Sequence, residues 1–109
     1  MAQILLVHFD ELTARRLAEF LETRGHRVNT LDPAQSLEHI LDDKVRGFDL
    51  VILDVSVQCR DAGKLLEGLK RYRDAHGPRP MTLCVSRVYR GPRFELDLEQ
   101  QGARVVYVS

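Results

Sequence analysis

The sequence predicts an α/β domain in which helices cover both faces of one parallel sheet. Three observations carry that prediction. Short apolar runs recur five times, stretches of helical periodicity separate them, and the connections are brief and marked by glycine or proline. A chain of 109 residues, 44% hydrophobic, has room for one domain with one core, read over residues 1–109.

Ile4-Leu5-Leu6-Val7 is a fully apolar run of strand length. A helix is expected from about Glu11 to Arg24, because Ala14, Leu17, Ala18 and Leu21 recur at the spacing of one helix face. Gly25 stands where a helix C-terminal cap belongs, and Arg27 to Leu31 reads as a short second strand. Asp32-Pro33 is a helix start signal, followed by the stripe Leu37, Ile40, Leu41 and Val45, and Gly47 closes that helix. Asp49 to Val55 holds the most apolar strand, as a central strand buried on both faces requires.

A further helix is expected over Gly63 to Ala75, with Leu65, Leu66, Leu69 and Tyr72 turned inward and Gly77-Pro78 ending it. Met81 to Ser86 is the fourth strand. Gly91-Pro92 opens a helix through Gln101 anchored by Phe94 and Leu98; Gly102 caps it, and Arg104 to Val108 is the fifth strand. Right-handed crossovers then place helices on both faces. Ligands in such sheets bind at the carboxyl ends of the strands. His8, Phe9 and Asp10, the segment Asp54 to Arg60, Ser86-Arg87 and Ser109 supply that edge.

Sixteen acids balance sixteen bases, so net charge favours no class of partner. The bases gather late, from Arg60 through Lys64, Lys70, Arg71, Arg73, Arg79, Arg87 and Arg90 to Arg93, against Asp61, Glu67 and Asp74. A solvated helix face and a polar loop account for most of this run, and nucleic acid is not the expected partner. The amino terminus has no basic region, long apolar segment or cleavage site, so neither signal peptide nor membrane span is expected, and a cytoplasmic location is. Cys59 and Cys84 read as free thiols. His8, His26, His39 and His76 have no metal-site spacing, and no glycine-rich nucleotide loop follows the first strand.

The residues Ile4 to Val7, Phe48-Asp49-Leu50-Val51-Ile52-Leu53-Asp54, Asp61 with Leu65-Leu66, Val85-Ser86 and Gly102-Ala103 fall in a familiar order and spacing. Together they make the chain resemble a response-regulator receiver domain of the CheY-like type, over essentially its whole length. The resemblance implies a flavodoxin-like doubly wound sheet of order 2-1-3-4-5. It also implies two-component phosphorelay signalling, with a histidine kinase or an effector as protein partner. Asp54 takes the phosphoacceptor position and Ser86 that of the switch hydroxyl.

Other positions depart from the pattern. Where the family has two adjacent acids that hold magnesium, this chain has His8 and Phe9, with Asp10 one step later. Asp10 also suits the first helix's N-terminus, and that capping role is the expected one. The lysine position is Ser109, the proline four residues after the acceptor is Gln58, and the Asp-Gly turn becomes Asp61-Ala62-Gly63. Tyr89 lies near the aromatic switch position. His8 is expected to face Asp54 across the strand ends.

The expectation is a degenerate pseudo-receiver, not an enzyme, that acts by protein–protein interaction and needs no cofactor. The alternative is a phosphorylatable regulator with Asp54 as acceptor, using Mg2+ held by Asp10 and Asp54. The final helix of a receiver is missing. Either the sequence is a fragment, or the face left bare is buried in a homodimer or a partner.

Overall fold

The computed structural model describes residues 1–7, 9–31, 47–56, 60–78, 80–89 and 91–108. Its elements are β1 (Gln3–Val7), α1 (Glu11–Thr23), β2 (Arg27–Leu31), β3 (Leu50–Asp54), α2 (Arg60–His76), β4 (Met81–Ser86), α3 (Pro92–Gln100) and β5 (Ala103–Tyr107). The strands pair in parallel in the order β2-β1-β3-β4-β5, as the sequence predicts. The helix expected after Asp32-Pro33 lies outside the described residues. No helix follows β5 among the described residues.

Alternation along the strands sorts the core into two layers. On one face Leu5, Val7, Val51, Leu53 and Cys84 meet Leu65, Leu66 and Leu69 of α2 and Leu98 of α3, with Tyr72 and Phe94 packed alongside. On the other, Ile4, Leu6 and Ile52 meet Ala14 of α1, with Leu17, Ala18 and Leu21 against them. The stripes read from the sequence for these three helices therefore face the sheet.

Helix α1 starts on Asp10, whose carboxylate accepts the Thr13 N–H at 3.1 Å, and it ends at Gly25 with φ +88°. Helix α2 begins at Arg60, three residues before the expected start, so Asp61-Ala62-Gly63 is helical and not a turn. A glycine weakens a helix interior by about 1 kcal/mol without forbidding it. The leucines that follow give α2 an apolar face that outweighs so small a penalty. Lys64, Lys70 and Arg71 are exposed on α2, in keeping with a solvated basic face.

Arg73 is different. Its guanidinium donates to the carbonyl of Pro80 (3.2 Å), the hydroxyl of Thr82 (2.7 Å) and the carbonyl of Gln101 (2.8 Å), tying α2 to β4 and to the turn before β5. Desolvation lowers its pKa from the usual arginine value. The amino-terminal edge of the sheet is closed by the Asp49 carboxylate, which accepts the Gln3 N–H at 2.9 Å, and by His26 Nδ1, which accepts the Ala2 N–H at 3.1 Å.

Candidate functional site

The carboxyl ends of β1, β3 and β4 converge as expected, and their side chains are largely committed to one another. Phe9 is buried, 8% exposed, in the layer under α1. The strand that would bring an acid here delivers a ring to the core instead. Asp10 caps α1 and also pairs with Arg87, Oδ1 to Nη2 at 3.5 Å. The hydrogen bonds from Thr13, then the charge of Arg87, hold its carboxyl below the usual aspartate pKa. The Arg87 guanidinium also donates to the Thr13 hydroxyl at 3.0 Å.

Asp54, the last residue of β3, is partly buried; its Oδ1 accepts the Ser56 N–H at 2.9 Å. The Ser56 hydroxyl in turn accepts the Arg87 N–H at 3.0 Å. Ser86 is fully buried, and its hydroxyl donates to the Val88 carbonyl at 2.7 Å and accepts the Val88 N–H at 3.2 Å. It thus serves its own turn. In the ladder Asp54 pairs with Val85, so the side chains of Asp54 and Ser86 leave the sheet on opposite faces. Tyr89 is 67% exposed, with its ring 5.2 Å from that of Tyr107.

Phe9, Asp10, Asp54, Ser86 and Tyr89 are therefore placed. His8 and Ser109, with Gln58, Cys59 and His39, lie outside the described residues. Of the other histidines, His26 bonds the amino-terminal strand and His76 stacks on Tyr72 with its Nδ1 3.2 Å from that residue's carbonyl oxygen. Cys84 is a buried thiol whose pKa burial pushes up to about 12. Among the described residues no three of His, Cys, Asp and Glu gather to hold a metal, and no helix is long and apolar enough to cross a membrane.

Sequence reasoning put Arg87 and, within Asp54 to Arg60, Ser56 at this edge without giving either a role, and it passed over Thr13; with Asp10 and Asp54 these make up the polar rim. The available signal was an arginine directly after the fourth strand, at an edge where two acids end or follow strands. Beside this rim a groove of about 680 Å3 opens between α1 and the sheet. Arg16, Leu17 and Phe20 form one wall, and Ile52, Leu83, Val85, Val106 and Val108 the floor. Asp54 stands at its upper end, so the candidate acceptor belongs to the groove as much as to the strand-end network.

No family model matches the chain, and no curated protein matches it. Solved structures do. A variant of the receiver domain of the histidine kinase CKI1 from Arabidopsis thaliana superposes with a TM-score of 0.76 at 16% identity, covering 97% of this chain and 79% of that one. The chemotaxis protein CheY4 from Vibrio cholerae gives 0.70 at 22% identity, covering 99% and 85%. A candidate pilus assembly-related protein from Burkholderia pseudomallei gives 0.72 at 22% identity, covering 98% and 78%. At these identities the likeness establishes the fold: the five-stranded parallel sheet of order 2-1-3-4-5 is one that receiver domains share.

Proposed function

We propose that the chain is a receiver-type signalling module of the two-component kind that works by associating with a protein partner and does not depend on phosphorylation. The observation that carries this reading is the commitment of Asp10. Its carboxylate is the acid nearest the degenerate acidic positions, and it is taken up by the helix cap and by Arg87. A divalent ion needs hard oxygen ligands free to turn toward it, and an arginine in their place opposes its charge. Phosphoryl transfer is catalysed almost wholly by positioning and electrostatic stabilisation, so a site without that ion has little to offer it. The bonding of Ser86 within its own turn supports the same reading. On this view the module performs no catalysis of its own and needs no cofactor.

The test is an NMR titration with magnesium and beryllofluoride, a phosphoryl mimic. Unchanged amide shifts around Asp54 and Ser86 are expected; saturable shifts there would overturn the phosphate-independent reading. One observation favours a second reading, a slow phosphoacceptor: Asp54 is only partly buried and lines an open groove. Incubation with acetyl phosphate would then add a phosphoryl mass that Asp54→Asn removes, and no adduct across several divalent metals disposes of it.

A further inference from the structure

Arg87 directly follows β4, and its contacts run to the segments that follow β1 and β3. Its Nη2 lies 3.5 Å from Asp10 Oδ1 and donates to the Thr13 hydroxyl at 3.0 Å, both at the opening of α1. Its backbone N–H donates to the Ser56 hydroxyl at 3.0 Å, and the Ser56 N–H donates to Asp54 Oδ1 at 2.9 Å. The residues on either side of Arg87 are joined to each other. The Ser86 hydroxyl accepts the Val88 N–H and donates to the Val88 carbonyl. The guanidinium is thus presented to Asp10 from a braced turn.

As an ion pair this contact is modest. The two side chains are 54% and 58% exposed, and pairs so open to water contribute little to stability. Its effect on the carboxylate is larger. Asp10 Oδ2 accepts the Thr13 N–H and Oδ1 faces the guanidinium, so both oxygens are engaged. A divalent ion approaching Oδ1 meets a positive charge that the chain itself supplies. That charge is present at every metal concentration and no chelator removes it, and arginine stays protonated at any physiological pH. Magnesium also sheds its water reluctantly and demands near-octahedral oxygen ligands. An acid shared between a helix cap and a guanidinium does not meet that demand.

We propose that Arg87 is the built-in cation of the strand-end site, whose guanidinium neutralises Asp10 and keeps divalent ions out. The inference rests on the phosphate-independent reading and gives it an agent: the charge of this edge is set by the chain and not by the metal in solution.

The test is Mn2+ binding followed by electron paramagnetic resonance, in which the signal of the free ion falls as it binds. The unaltered protein should bind Mn2+ weakly. Arg87→Gln should bind it about tenfold tighter, the effect of removing a unit charge about 5 Å from a divalent ion in water. Should Arg87→Gln fail to fold by circular dichroism, Arg87→Met takes its place. Arg87→Lys keeps the charge and should match the unaltered protein. Arg16→Gln, which removes a like charge one turn beyond Thr13, should change the affinity by no more than about twofold, because a more distant exposed charge is screened. Adding Asp10→Asn to Arg87→Gln should return the affinity to its starting value. The assignment is overturned if Arg87→Gln binds no tighter than the unaltered protein, if Arg87→Lys or Arg16→Gln gains as much, or if the gain survives Asp10→Asn. No phosphoryl group enters this measurement, so it stands apart from the beryllofluoride titration. Shifts in that titration, with the Mn2+ results as expected here, would overturn the phosphate-independent reading alone.

Discussion

Arg73 offers the most direct test of how this fold is held, and Gly102 makes the test quantitative. Replacing Arg73 by alanine leaves three acceptors without this donor, and one of them belongs to Thr82, only 5% exposed. Hydrogen bonds to a charged donor contribute about 1.5–3 kcal/mol each. The guanidinium keeps much of its contact with water and the Pro80 bond is long, so the sum is discounted to about 3 kcal/mol. In urea, where m is about 1–3 kcal/mol/M, the midpoint should fall by about 1–3 M with m unchanged.

Gly102 lies at φ +80°, and a Cβ there would come 2.6 Å from Arg73 Nη2. Gly102→Ala therefore carries about 1–2 kcal/mol of left-handed strain and also pushes the guanidinium off the Gln101 carbonyl. In the double variant only the strain remains, since the guanidinium is already gone. The double should be less destabilised than the sum of the singles by about 1 kcal/mol. An Arg73→Ala effect below about 0.5 kcal/mol, or strict additivity with Gly102→Ala, would refute the reasoning.

Three further outcomes follow from the site and the core. Asp10 is held below its usual pKa, so it binds fewer protons folded than unfolded, and its stabilisation is present above the ordinary aspartate range and lost as pH falls through the lowered value. Asp10→Asn should flatten the acid limb of a stability–pH profile; an unchanged acid limb refutes this. Phe9→Asp, which puts an acid back at a family position, would bury a carboxylate where the ring now packs and should cost about 3–5 kcal/mol. A melting temperature within a few degrees of the parent would contradict that. In a Cys59→Ser background, Cys84, with a pKa raised to about 12, should react with a thiol reagent at pH 8 only as fast as the protein unfolds. Rapid labelling of native protein would show the opposite.

The sequence exposed the fold through repetition, since each apolar run between helical stripes had one workable place in a parallel sheet. Ala14, Leu17 and Leu21, or Leu65 and Leu69, needed no partner to be recognised, because spacing alone put them on one face. Asp10 could be read as a metal ligand or, as expected, as a helix cap, because both call for the same residue at nearly the same place. The structure gives it to the cap and to Arg87, whose carboxylate partner lies 77 residues away by numbering. Arg73 shows the limit more sharply. In sequence it is one base in a basic run, and only the folded chain brings Pro80, Thr82 and Gln101 to its guanidinium. Ser86 had the right residue type at the right strand end, but its hydroxyl direction depends on a turn whose partner, Val88, carries no signal of its own.

The unequal layers bear on where this domain can respond to a ligand. The α2 and α3 side holds most of the side chains with almost no exposure, Val51, Leu53, Leu65, Leu69 and Cys84 among them, while Leu6 and Ile4 lie on the other. The α1 side leaves Leu83 and Val85 partly covered and Val106 nearly half exposed. Stability is not uniform across a domain, and regions with fewer buried contacts open at lower free energy. A ligand that covers the α1 side adds burial where the domain has least and stabilises the conformation it binds. Asp54 lies on the same side, at the groove's upper end, with Val85 beside it in the ladder. Any change of charge at Asp54 is therefore felt first by whatever lies in the groove. Binding in the groove and the charge at Asp54 are physically linked.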